Sequence, residues 1–84
     1  MRKVTVYSME VCSSCDRIKN MLDAREIPYE EVILGPDSPE LDELSQRSGM
    51  TSLPQVFVGS ILIGGGEETM AAAGSGMLDD LLVD

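Results

Sequence analysis

The alternation of strand-like and helix-like segments constrains this chain more than any other feature. "KVTVYS" (3–8) is rich in β-branched residues and reads as a strand. From Ser13 to Arg25 the apolar residues Ile18, Met21 and Leu22 form a helical stripe, and Pro28 blocks its continuation. "YEEVIL" (29–34) then reads as a second strand. Two strands joined through a helix pair in parallel, because the crossover returns the chain to the same end of the sheet. "PQVFVGSILIGG" (54–65) imposes the opposite geometry, two apolar strands around Gly59-Ser60 in an antiparallel hairpin.

The intervening segments read as helices. "GPDSPE" (35–40) is a turn followed by a helix start, with Ser38 as N-cap and Pro39 at the first helical position. Leu41 and Leu44 give that helix a narrow apolar face, and Gly49 suits a left-handed stop. Glu67 and Glu68 suit the first turn of a third helix, where carboxylates meet the positive end of the dipole. "AAAGSG" (71–76) interrupts or ends it, and Leu78, Leu81 and Leu82 leave a short apolar stripe in the tail. The expected architecture is an α/β fold, a four-stranded mixed sheet flanked by about three helices, with residues 1–84 as a single domain. A chain of 84 residues can fold alone but cannot bury a large core. Tyr7, Tyr29 and Phe57 are its only aromatic residues, so packing rests on Val, Ile, Leu and six methionines.

Charge narrows the partners. A net charge of −9 argues against nucleic acid, whose affinity comes largely from Lys and Arg neutralising phosphates. "MRKVTVYSME" lacks the apolar run of a signal peptide, and no segment is long and apolar enough to span a bilayer. The expectation is a cytoplasmic monomer without membrane or nucleic-acid partners.

Against that background stands "VCSSCDRIK" (11–19), which holds both cysteines of the chain. A reducing compartment works against a permanent disulfide, and a Cys12–Cys15 clip closes too short a loop to constrain the unfolded chain much. Zinc normally takes four ligands; with two cysteines and no histidine, a complete site would need carboxylates or a partner. Placement favours a third reading, with the metal and structural ones still open. Cys12 follows the first strand where the chain turns into a helix, and unpaired N–H groups there stabilise an anion. A cysteine so placed has a lowered pKa and acts as a thiolate nucleophile. Cys15, one turn further on, can attack a mixed disulfide formed on Cys12.

These segments together resemble the glutaredoxin family over nearly the whole chain. "VTVYS" followed by "CSSCDRIK" is similar to that family's first strand and its Cys-Pro-Tyr-Cys-x-x-Ala-Lys helix start. "SGMTSLPQVFVGSILIGGGEE" is similar to its second signature, Thr-Val-Pro, a hairpin, then Gly-Gly and acidic residues. The resemblance implies a thioredoxin-like fold and glutathione-dependent reduction of protein disulfides and glutathionylated thiols, with Cys12 as nucleophile and Cys15 as resolving thiol. It implies a cis peptide bond before Pro54, which would let the Leu53 backbone pair with the cysteinyl peptide group of glutathione. It places the γ-glutamyl carboxylate at the backbone N–H groups of Gly66 and Glu67, with Glu68 facing the ammonium. Val11, Ser14, Ser52 and Gly65 complete the implied glutathione-binding set.

The departures from the family pattern carry chemistry. Before Cys12 the family usually has a lysine that supports the thiolate and meets the glycyl carboxylate; here stand Met9 and Glu10. Glu10 is expected to face solvent, and the expected result is a less acidic Cys12 and weaker glutathione binding. Arg17 and Lys19 are the nearest cations, and Arg17 reads as a surface charge. Within the motif Ser13 and Ser14 replace proline and tyrosine, which restores an N–H, removes rigidity and deletes one aromatic wall of the groove. Relatives with serine or glycine at the proline position can hold a [2Fe–2S] cluster between two subunits, which gives an alternative activity using Cys12 as the ligand. A second alternative is an electron donor to ribonucleotide reductase, fed by thioredoxin reductase. Such donors tend to carry Ser-Gly-Phe-Arg-Pro near the C-terminus, where this chain has "AAAGSGMLDD".

Overall fold

The computed structural model describes residues 1–83. Strands β1 (Val4–Ser8), β2 (Tyr29–Ile33), β3 (Gln55–Val58) and β4 (Ile61–Gly64) form one sheet in the order β2-β1-β3-β4. β1 pairs with β2 in parallel, with Val4 opposite Tyr29 and Ser8 opposite Ile33. β1 also pairs with β3 antiparallel, and β3 with β4 antiparallel across a register shift between Val56 and Phe57. The thioredoxin-like mixed sheet expected from the sequence is present, and both its parallel and antiparallel pairs fall where the element order requires them.

Helices α1 (Ser13–Ala24), α2 (Pro39–Ser48), α3 (Gly66–Ser75) and α4 (Met77–Leu82) complete the chain. Among the described residues the count is four rather than about three. Ala71–Ser75 continue α3, because Ala is the best helix former and one glycine costs only about 1 kcal/mol. The break falls at Gly76, whose left-handed φ of 86° ends α3 and starts α4. The apolar stripe of the tail thus becomes a helix whose Leu78 and Leu82 are buried. α1 stops at Ala24, short of Arg25, and Glu26 takes a left-handed φ of 57° before Ile27 returns its N–H to Leu22 O at 2.9 Å. Ser38 caps α2 by accepting the Leu41 N–H at 3.2 Å, and Gly49 ends it at φ 76°, as the sequence indicates.

The period of two along β1 and β3 divides the sheet into two faces. Val4, Val6, Val56 and Val58 are buried on one face and meet Ile18 and Leu22 of α1, Ala72 and Ala73 of α3, and Leu78 and Leu82 of α4. Thr5, Tyr7 and Phe57 point to the other face. There Leu44 of α2 is buried, the Tyr7 and Phe57 rings meet edge to face at 5.7 Å, and the Arg47 guanidinium lies 5.8 Å over Phe57. Leu22, fully buried at the centre of the first layer, tests this arrangement. Leu22→Ala should lower unfolding stability by about 3 kcal/mol, read as a shift of the urea midpoint at unchanged m-value. That is a large fraction of the roughly 5–15 kcal/mol typical of a domain.

Candidate functional site

β1 delivers the chain to the sheet end where α1 begins. Cys12 is the N-cap of α1, in extended conformation, a position usually held by Ser, Thr, Asp or Asn. Its sulfur accepts the Cys15 N–H at 3.1 Å, so the thiol group takes the place of the capping oxygen. Cys12 and Cys15 are joined as a disulfide with Cα atoms 5.2 Å apart. The two sulfurs are not equivalent: Cys12 is half-buried, whereas Cys15 is 0 % exposed beneath the first turn. Val11 projects into solvent at 91 % exposure and lies outside the neighbouring groove.

The loop before β3 reaches the same place. The Leu53–Pro54 bond is cis, as the resemblance implied. Pro54 is buried, and Leu53 and Ser52 line a groove of about 250 Å³ together with Ser14 of α1. Gly65, Gly66, Glu67 and Glu68, at the start of α3, form its other wall. A Cβ built on Gly66 would lie 3.8 Å from Ser14 Cβ, 3.9 Å from Ile18 Cδ1 and 3.9 Å from Pro54 Cγ. Helix start, cis-proline loop and α3 therefore converge on one point. Every expected glutathione-site residue except Val11 borders this groove.

The α3 start is shaped by Glu68. Its Oε1 accepts the Gly65 N–H at 2.9 Å, so that N–H is committed within the chain. Gly66 and Glu67 are the first helical residues, whose N–H groups have no carbonyl partner inside the helix. Gly64 has φ 133°, and a Cβ there would sit 2.8 Å from Glu68 Cβ, so only glycine fits. Arg17, exposed as expected, shares a second cavity with Ser14, Gly66, Glu67 and Met70.

Three supporting groups carried no recognisable signal in the sequence. Gln55 is a fully buried amide whose Nε2 donates to Met50 O at 3.2 Å and Ser52 O at 3.1 Å. It ties down the loop that forms one wall of the groove. Ser8, also fully buried, donates its hydroxyl to Glu31 Oε2 at 2.8 Å, and Lys19 Nζ reaches the same oxygen at 2.7 Å. Asp16 lies 3.3 Å from Lys19 Nζ. The Lys19 hydrogen bond, then that from Ser8, holds the Glu31 carboxyl below the ordinary glutamate range. The hydrogen bond to Glu31 outweighs burial and raises the Lys19 ammonium. Lys19 is thus occupied by two carboxylates. Glu10 is exposed, as expected.

The chain's residues 4–63 match the family model described as Glutaredoxin. It is 33 % identical to glutaredoxin 3 of Escherichia coli K12 over 82 residues, covering 98 % of this chain and 99 % of that one. The chain belongs to the glutaredoxin family. Its fold superposes on oxidised glutaredoxin 2 from Chlamydomonas reinhardtii with TM-score 0.82 at 36 % identity, covering 96 % of this chain and 79 % of the other. It is also similar to a buckwheat glutaredoxin–glutathione complex, with TM-score 0.85, 27 % identity and coverage of 96 % and 76 %. With the Cys12–Cys15 pair in place, this glutaredoxin is a thiol–disulfide oxidoreductase. Among the described residues no group of three or more His, Cys, Asp or Glu is disposed to hold a metal ion.

Two measurements probe the support of the site. Stability from Glu31 is present above its unfolded pKa and lost as pH falls through its lower folded value; that from Lys19 is present below its unfolded pKa and lost as pH rises through its higher folded value. Glu31→Gln should cost about 1 kcal/mol at pH 7, and the gap to the parent should shrink as pH falls below the ordinary glutamate range and through the lower folded pKa of Glu31. For the loop, Gln55→Met should raise KM for a small mixed disulfide several-fold with little change in the alkylation rate of reduced Cys12. Gln55→Glu should be worse in both KM and stability, because it sets an acceptor against two carbonyl oxygens.

Proposed function

We propose that this glutaredoxin reduces protein disulfides and glutathionylated thiols at the expense of glutathione, in a cytoplasmic setting. The observation that carries the reading is the convergence of Pro54 and Gly66 on Ser14, in the first turn of the helix that Cys12 caps. Cys12 attacks the substrate disulfide, forms a mixed disulfide and releases the first substrate thiolate. Cys15 then gives up its proton and attacks the Cys12 sulfur, which releases the second thiol and leaves the Cys12–Cys15 disulfide. Two glutathione thiols return the pair to the dithiol and become glutathione disulfide. The unequal exposure of the two sulfurs supports these roles, since the buried Cys15 meets Cys12 but no external disulfide.

Glutathione suits the groove by its chemistry. Its γ-glutamyl carboxylate matches the free N–H groups of Gly66 and Glu67. Its cysteinyl peptide group can pair with the Leu53 backbone, with Ser14 and Ser52 on the groove wall and Val11 outside it, next to Cys12 in the chain. Its ammonium falls to the carboxylates of Glu67 and Glu68, the latter alongside its capping bond to Gly65. The buckwheat complex with glutathione supports the same ligand class here.

An assay that couples glutathione and glutathione reductase to a glutathionylated substrate should consume NADPH. Activity only with thioredoxin reductase would overturn the choice of reductant. Cys12→Ser should abolish exchange. Cys15→Ser should keep deglutathionylation but lose most protein-disulfide reduction, and complete loss of both would reverse the assigned roles.

A further inference from the structure

The rim of the site indicates what kind of disulfide it meets. Resting on the assignment of Cys12 as nucleophile, we propose that the preferred partner is a disulfide in a positively charged polypeptide, docked on an apolar, acid-flanked face around Cys12.

Three exposed large apolar residues lie in or beside the segment that leads from β1 to Cys12. Val11 is 91 % exposed next to the nucleophile, Met9 is 36 % exposed in the same loop, and Ile33 is 58 % exposed. Ile33 lies opposite Ser8 in the β1–β2 register, so it flanks the start of the Met9–Cys12 segment. None of the three belongs to the core cluster of this layer, which is filled from α1 by Ile18 and Leu22. Across the groove stands Met50, with its Cε 3.6 Å from where a Gly65 side chain would begin. Apolar side chains grouped around a reactive sulfur suit a partner large enough to cover them, which a tripeptide is not.

Charge selects among such partners. The walls of the groove and its neighbouring cavity carry two carboxylates, Glu67 and Glu68, against a single cation, Arg17. Glu10 is exposed two residues before Cys12, and the ammonium of Lys19 is already held by Glu31 and Asp16. The whole chain has a net charge of −9. The field at the mouth therefore repels anionic disulfides and draws in cationic ones, which raises the encounter rate more than the lifetime of the complex. Basic residues on either side of the partner's disulfide would meet Glu10 and Glu67 while apolar ones cover Val11 and Met9. The exchange itself is unchanged: the Cys12 thiolate displaces one partner thiolate, Cys15 displaces the other, and the two electrons come from the protein dithiol.

Single-turnover kinetics test this without any added reductant. Reduced protein is mixed with three matched peptides, each bearing one cysteine disulfide-linked to 2-mercaptoethanol and flanked by Lys, Ser or Glu. At low ionic strength the second-order rate should be about 10-fold or more higher for the Lys peptide than for the Glu peptide. At high salt the ratio should collapse to about 2-fold or less, since the Debye length shortens to about 3 Å at 1 M. Glu67→Lys should shrink or invert the ratio, and Val11→Ser should slow the Lys and Ser peptides alike. Equal rates at low salt, or a faster Glu peptide, would overturn the charge preference and leave Cys12 as nucleophile. No reaction with any peptide would overturn the Cys12 assignment itself.

Discussion

Ile18 and Leu22 set the position of everything that reacts. Both are fully buried against the β1–β3 valines and against α3, so α1 has one seat on the sheet. With the helix fixed there, its first turn must project beyond the C-terminal end of β1. Cys12 is the residue at which strand geometry becomes helical geometry. Its side chain is half-buried, less covered than Cys15, and its backbone setting is extended because it caps the helix. Nothing about the cysteine itself is unusual; its chemistry derives from the place the core assigns to it.

The polar groups beneath the site solve a problem that this placement creates. The inward face of β1 alternates Val4, Val6 and Ser8, and Ser8 is as deeply buried as the valines. A buried hydroxyl without a partner would cost about 1–3 kcal/mol. Glu31 supplies the partner from β2, and Lys19 supplies the counter-charge from α1, with N···O 2.7 Å. The pair ties α1 to the far strand at the sheet end that carries the cysteines. Because Lys19 is consumed in this way and Met9 precedes the motif, no lysine is left to support the Cys12 sulfur. The remaining electrostatic support is the helix start, through the Cys15 N–H at 3.1 Å.

Much of this was legible in the sequence, for identifiable reasons. Strands and hairpin declared themselves through β-branched runs and the Gly59-Ser60 turn, and α2 through Ser38, Pro39 and Gly49, which act as their local chemistry dictates. Part of the groove was legible because backbone specialists mark it: Pro54 with its cis bond, Gly65 where a Cβ would be tight, and the adjoining Gly64 where it has no room. The tail helix was missed because Gly74 and Gly76 look alike in sequence, whereas only Gly76 takes a left-handed turn. Gln55 and Glu31 were missed because their work is done across the fold. Gln55 looks like a strand residue until its amide is seen reaching the Met50 and Ser52 carbonyls. Glu31 sits in "YEEV", where nothing distinguishes it from the neighbouring Glu30, which instead pairs with Lys3 at the surface.

The unequal burial of the two cysteines follows from helix geometry once α1 is seated. Residues three apart lie on neighbouring parts of one helix face, which is why the two sulfurs can bond. Cys15 is also three residues before Ile18, and Ile18 defines the buried face, so Cys15 shares that burial. Cys12 is one turn further out, at the cap, and escapes it. The same spacing that brings the thiols together therefore makes them unequal. The pair thus joins one half-buried cysteine to one fully buried cysteine. Ser13 and Ser14, between them, are both exposed and leave this asymmetry intact. What the two serines alter is the wall of the groove: Ser14 borders it with a single hydroxymethyl group, leaving room beside Gly66 and Pro54 for a bulkier partner than an aromatic residue would admit.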